Sequence, residues 1–280
     1  MKKLLKKIFW GIIKRVDSVF KFRATHEIIL SQQHILNQKN SKNSFNSYGH
    51  KCFSQSDEDG LTLEIIKRLG IEKGAFLEFG VGDGTENNSL ILISIGWKGC
   101  WVGNEKLKIN INESKLLKYF RNFVDLENVL QISKNGLNFV KSKTYDVISM
   151  DLDGNDYYLT KKLLENNLHP KLFIVEYNGK FFPPIRFLQN YDEKHFWKND
   201  DYFGCSLSIY VELFESFGYK LICCNSWTGA NAFFVKEEYL NLFPEVPDQI
   251  EEIYIPPFYH LRTIGHPITS NKTIESFLME

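Results

Sequence analysis

Two different periodicities divide the chain. Residues 1–22, MKKLLKKIFWGIIKRVDSVFKF, place Leu5, Ile8, Phe9, Ile12, Ile13, Val16 and Phe20 on one face of a helix, with Lys2, Lys3, Lys6, Lys7, Lys14 and Arg15 largely off it. The polar stretch that follows, SQQHILNQKNSKNSFNSYGHK, is rich in Asn and Ser and reads as a linker. From Ser54 onward short apolar runs alternate with helical spacing. A helix is expected over Gln55 to Leu69, with Leu61, Ile65, Ile66 and Leu69 on one side and Gly70 as its stop. AFLEFG reads as a first strand, with a helix over Asn87 to Ile95 after it; GCWVGN is a second strand and NFVDLEN holds a third. YDVISMDLDG is the fourth, followed by a helix from Tyr157 to Glu165, and KLFIVEYN is the fifth. An irregular aromatic segment, Gly179 to Phe203, precedes a helix over Ser206 to Phe217 and two strands joined by a turn in YKLICCNSWTGANAFFVK.

Strands alternating with helices predict an α/β fold, a mostly parallel sheet covered on both faces, with an antiparallel element at the end. Ligands in such sheets bind at the carboxyl ends of the strands. Three segments are expected: 1–51, a basic amphipathic helix and linker; 52–240, the α/β domain; and 241–280, an extension packed on it. The 280 residues suffice for one sizeable core. The formal net charge is zero, which excludes a global basic surface for nucleic acid. Five cysteines, an odd number with no C-x-x-C pair, point to reduced thiols in a cytoplasm rather than zinc or disulfides. The longest uncharged N-terminal run, Ile8 to Ile13, is too short to span a bilayer. A basic amphipathic helix over residues 1–22 suits peripheral contact with an anionic membrane face; packing on its own domain or on a sister subunit of a homo-oligomer is the alternative.

The chemistry centres on AFLEFGVGDGTENN. Its glycines, Gly80, Gly82 and Gly84, do not follow the G-x-G-x-x-G of dinucleotide folds. A pyrophosphate needs bare amides at a positive helix end, yet Glu78, Asp83 and Glu86 crowd this loop. A cationic ligand fits better, and S-adenosylmethionine carries an ammonium and a sulfonium and no phosphate. Glu105, 25 residues after Gly80, lies near the distance at which an acid commonly meets ribose hydroxyls. A tight turn with solvated acids is the plainer reading.

FSQSDEDG, FLEFGVGDGTENNS and GWKGCWVGNE resemble the opening blocks of FkbM-like methyltransferases, a branch of the S-adenosylmethionine-dependent Rossmann-like family. ISMDLDGNDYYL, LFIVEYN and TGANAFFV match in kind and order, so the resemblance covers about residues 52–240. It implies a Rossmann-like seven-stranded sheet with a reversed last strand. It puts Gln55, Glu78, Gly80, Gly82 and Glu105 at cofactor positions, with Asp83 in the same loop and Glu127 or Asn128 beside the adenine. The family's ribose acid directly follows the second strand, where this chain has Gly103; Glu105 comes two positions later. The implied activity is O-methylation of a sugar in a bacterial surface glycan, capsule or lipopolysaccharide, or in its nucleotide- or lipid-linked precursor. A non-catalytic membrane-associated module and an NAD-dependent sugar enzyme are the rivals.

Asp151 and Asp153 end the fourth strand two residues apart, and Glu176 and Asn178 repeat the pattern on the fifth. Extended backbone points each pair to one side; if the two strands are neighbours, as the resemblance implies, four oxygen-bearing side chains converge beside the transferred methyl. Asp151, Glu176 and Asn178 suit a hard cation, Mg²⁺ or Mn²⁺, that would activate an acceptor hydroxyl. DGND is equally a good turn and helix start. Asp153 and His195 are the candidate bases, with Asp151 the third catalytic candidate. The rings of 177–203 would stack on a sugar or base, or form a packed lid.

Overall fold

A computed structural model describes residues 2–227, 230–257 and 269–279, with residues 2–8 as backbone only. Thr228 and Gly229 of the expected strand-joining turn, and residues 258–268 of the C-terminal extension, lie outside the described residues. The elements are α1 (Lys2–Asn40), α2 (Glu58–Arg68), β1 (Ala75–Phe79), α3 (Leu90–Ser94), β2 (Lys98–Gly103), β3 (Leu117–Arg121), α4 (Val129–Val140), β4 (Val147–Met150), α5 (Asp156–Glu165), β5 (Leu172–Glu176), α6 (Leu207–Glu215), β6 (Tyr219–Cys224), β7 (Asn231–Lys236), α7 (Ile250–Ile253) and α8 (Asn271–Leu278).

The seven strands form one sheet in the order β3-β2-β1-β4-β5-β7-β6. β1 through β5 pair in parallel, and β7 runs antiparallel to both β5 and β6. The strand period of two splits the core in two. Leu77, Phe79, Ile148, Met150, Phe173 and Val175 face a layer built by α4, α5 and α6. Phe76, Val147, Leu172 and Ile174 face the opposite layer with α2 and α3. Both faces of β1, β4 and β5 are therefore dry, which is why these segments read as unbroken apolar runs.

Three expectations change. The third strand is Leu117–Arg121, not NFVDLEN, which forms the turn into α4. β3 is an edge strand buried on alternate positions at most, so it carries Lys118 and Arg121 and lacks a clear apolar run. α4 was not anticipated, although Val129, Ile132, Gly136 and Val140 supply its buried stripe. The polar stretch after residue 30 is no linker: α1 continues to Asn40, and Asn43, Phe45 and Asn46 of the next turn are fully buried. Asn43 Nδ2 donates to the Ile222 carbonyl at 2.7 Å, and Phe45 packs against Phe243. The Asn43 side chain is held by that backbone carbonyl and by the Phe45 amide, and Asn46 Nδ2 donates to the Ser41 hydroxyl.

Candidate active site at the carboxyl edge of the sheet

β1 leaves the sheet at Gly80, with φ +85, and a Cβ there would lie 1.4 Å from the Asp151 carbonyl oxygen. Gly80 is thus a packing requirement between the ends of β1 and β4. Gly82 differs: its φ is +49, yet a Cβ would meet nothing within 4 Å. It faces open space at the junction of two cavities, where its backbone is accessible to a ligand.

The first cavity, about 260 Å³, is lined by Gln55, Glu78, Gly80 through Asp83, Thr85 through Asn88, Glu105, Asp151 and Asn231. It contains five carboxylates and no Lys or Arg. Two buried amide oxygens in its wall, Asn87 Oδ1 and Asn231 Oδ1, have no hydrogen-bond partner among the described residues. The amide nitrogens are committed elsewhere, to the Val81 carbonyl and to Glu58 Oε1. Glu78, 4% exposed, accepts from the Asn88 and Ser89 amides and the Ser89 hydroxyl at the start of α3. Burial pushes its carboxyl up to about 7, against those hydrogen bonds. Asp83 sits at the rim, held by Thr85 and by Lys108 at 2.6 Å, whose hydrogen bond lowers its pKa.

The second cavity, about 390 Å³, shares Gly80, Gly82, Glu105 and Asp151 with the first. Asn122, Phe123 and Val124 form one side, and His195, Phe196 and Trp197 of the aromatic segment the other, with the Phe123 and Phe196 rings 5.9 Å apart. Glu105 lies between the two compartments even though it stands two residues beyond β2. Glu127 and Asn128 do not line either compartment. Asn128 closes the turn before α4, accepting from the Asp125 amide and donating to the Phe123 carbonyl, and Glu127 is exposed. The shift follows from the position of β3, which brings residues 122–124 to the sheet edge.

At the ends of β4 and β5, Asp151, Asp153 and Glu176 offer carboxylate oxygens within 4.8 Å of one another; Asp151 and Asp153 line the second cavity, and Glu176 lines neither. They converge by a different route from the expected one. Asp151 and Asp153 lie beyond β4, and Asp153 takes the left-handed backbone, φ +55, in a turn held by the Asp156 carboxylate through the Leu152 and Gly154 amides. Asn178 departs from the expected set of ligands. It is fully buried, donates to the Asp201 and Phe203 carbonyls and accepts from the Lys180 amide, so it secures the aromatic segment. Asp153 takes its place in the cluster. Burial, then the neighbouring acids, hold Asp151 and Glu176 well above the ordinary carboxylate range. His195 borders the second cavity with Nε2 3.2 Å from the Asp153 carbonyl oxygen, a close approach that Gly154 permits.

Asn87, Asn231 and Phe123 were not anticipated, whereas Phe196 and Trp197 belong to the aromatic segment expected at this edge. Asn87 stood in the quoted loop without a role, and Asn231 comes from β7, remote in sequence and adjacent only because β7 inserts beside β5.

No protein-family model matches the chain, and no curated protein matches it. Among solved structures, the chain is similar to a putative hemolysin from Streptococcus thermophilus (12% identity, 73% of this chain and 74% of that one, TM-score 0.41). It is also similar to the O-methyltransferase of tomaymycin synthesis from Streptomyces achromogenes, solved with SAM (13%, 66% and 82%, TM-score 0.38). A third is the SAH-bound methyltransferase of calicheamicin biosynthesis (12%, 63% and 56%, TM-score 0.35), of which this chain spans just over half. Likenesses this distant assign neither activity nor ligand; the seven-stranded, mostly parallel α/β fold stands on the strand order itself.

Proposed function

We propose that the protein is an S-adenosylmethionine-dependent methyltransferase acting on a hydroxyl group. The observation that carries this reading is the carboxylate-rich cavity beside Gly82, with its two unpartnered amide oxygens and no Lys or Arg in its wall. Such a wall repels a pyrophosphate, and with it NAD, and favours a ligand with a positive charge and several donors. Gln55, Glu78, Asn87 and Asn231 would hold the amino-acid end of S-adenosylmethionine, Glu105 its ribose, and Phe123 and Val124 its base. When bound, the cofactor supplies a methyl group on a positively charged sulfur.

Asp151, Asp153 and Glu176 work on the acceptor. An ionised carboxylate of the cluster accepts the acceptor's hydroxyl proton at a side-chain oxygen, while a protonated neighbour relieves the repulsion between them. Mg²⁺ or Mn²⁺ fits the three carboxylates as a hard ion for oxygen donors and would supply the charge that acidifies the hydroxyl. A sugar of a bacterial surface glycan, or of its nucleotide- or lipid-linked precursor, is the acceptor implied by the FkbM-like resemblance. The exposed rings of Phe196 and Trp197 at the mouth are suited to stack on it.

Titration calorimetry tests the cofactor. S-adenosylmethionine and its demethylated product should bind, and NADH should give no heat. Gly82→Asn, which fills the open space with a side chain that tolerates left-handed backbone, should abolish binding and leave the circular dichroism unchanged. Saturable NADH binding with no response to either sulfur compound overturns the reading.

A further inference from the structure

Among the described residues, the apolar side of the N-terminal half of α1 has no cover. Phe9, Trp10, Ile12, Val16, Val19 and Phe20 are 47–68% exposed on one 39-residue helix. At 1.5 Å per residue the helix is about 58 Å long. Its specific contacts with the domain, among the described residues, come from its last turns. The His34 ring stacks on Trp227 at 5.2 Å, Asn37 Nδ2 donates to the Ser226 carbonyl, and Gln38 Nε2 donates to the Asn46 and Gly49 carbonyls. The Asp57 carboxylate accepts from the Ser226 and Trp227 amides, and Asp57 lies two residues after Gln55 of the first cavity. The helix is therefore seated at the carboxyl edge of the sheet, where the candidate site opens.

Charge selects what covers the apolar face. Residues 2–23 carry eight Lys or Arg and one acid, Asp17, which is itself paired with Lys21 at 2.7 Å. A second copy of this segment would bring eight more cations against the first, and like charges disfavour that pairing. No described helix is long and apolar enough to cross a membrane. Large aromatic and aliphatic side chains flanked by an excess of Lys and Arg over acids suit the boundary between anionic headgroups and acyl chains. We infer that the N-terminal half of α1, residues 9–23 at its centre, lies on an anionic membrane surface and tethers the site-bearing edge of the sheet beside it.

Co-sedimentation of the full-length protein with vesicles tests this without any methyl transfer, so failure of the proposed enzymatic function leaves it standing. The protein should pellet with phosphatidylglycerol–phosphatidylcholine vesicles at low salt, release at high salt, and ignore pure phosphatidylcholine. Lys14→Gln with Arg15→Gln should weaken the partition roughly thirtyfold, at about 1 kcal/mol per basic residue near the surface. Val16→Ser with Phe20→Ser should weaken it comparably, and circular dichroism should show both variants folded. Absence of vesicle binding at low salt overturns the inference. So does a concentration-dependent dimer that the Phe20→Ser variant dissolves while vesicles have no effect, which would make a second copy the cover.

Discussion

Two clusters of three acids lie on the same edge of the sheet; burial and a neighbouring acid raise Glu58 in one as they raise Asp151 and Glu176 in the other, and the clusters differ in the donors that meet them. In the first, at the start of α2, each acid is met by donors. Asp59 Oδ2 accepts from the Cys52, Phe53 and Ser54 amides and the Ser54 hydroxyl. Asp57 takes the Ser226 hydroxyl and the Ser226 and Trp227 amides, and Glu58 takes Ser56, Asn225 and Asn231. These carboxylates fold the loop that carries Gln55 and fasten it to the strand that carries Asn231. In the second cluster, Asp151 and Glu176 have each other, and burial and mutual repulsion hold both well above the ordinary carboxylate range. A carboxylate given amides is part of the architecture; one left against another carboxylate is ready for a proton or a cation.

The sharpest way to break this contrast is to neutralise the second cluster. Asp151→Asn or Glu176→Gln should lower methyl transfer roughly 10²–10⁴-fold, the range for loss of a general acid or base, with cofactor affinity little changed. The thermal midpoint should hold or rise, because a repulsive contact is removed. A normal rate, or a collapsed midpoint, would make the cluster structural like the first. The same assay run in excess EDTA, with Mg²⁺ or Mn²⁺ added back, decides whether the acids work through a cation.

Asp59→Ala should do the opposite. Stripping the shared acceptor from three amides should cost about 2–4 kcal/mol of stability, read as a shift in the urea midpoint. The turnover of the fraction that remains folded should stay close to that of the unsubstituted protein. A large loss of turnover without a stability change would move Asp59 into the site.

The smallest effect sharpens the role of Glu78, which stands between the two extremes because it has donors yet lines the cavity. Its carboxyl is raised to about 7 by burial. In the folded chain it keeps a proton that the unfolded chain has already released, so its contribution to stability falls as pH rises from the ordinary carboxylate range through 7. Binding of a cationic ligand favours the ionised form, so affinity for S-adenosylmethionine should rise by about tenfold between roughly pH 6 and 8. Calorimetry at several pH values measures the slope. A Glu78→Gln variant that keeps the slope would assign it to another group.

Much of the site could be read along the chain, and the part that could not has a common cause. The strand-ending acids Glu78, Asp151 and Glu176 and the glycine loop stand beside apolar runs long enough to announce β1, β4 and β5, and the sheet places all three at one edge. Asn231 gave no such signal, because a β7 residue becomes a neighbour of Gln55 and Asp151 only after β7 has inserted between β5 and β6.

The sequence by itself determined the alternation of strands and helices, the antiparallel last strand and the basic amphipathic start of α1, since each follows from local periodicity and turn chemistry. Only the tertiary structure decided the rest. β3 became Leu117–Arg121 because an edge strand needs few apolar residues, and residues 122–124 in place of Glu127 and Asn128 reached the second cavity as a result. Asn178 turned to the aromatic segment because two of its carbonyls needed a donor in the dry interior. Asp153 joined Asp151 and Glu176 through a left-handed turn rather than an extended strand. In each case the partner is far away in the chain, and a hydrogen bond or a clash with a distant backbone leaves no periodic trace in the sequence around it.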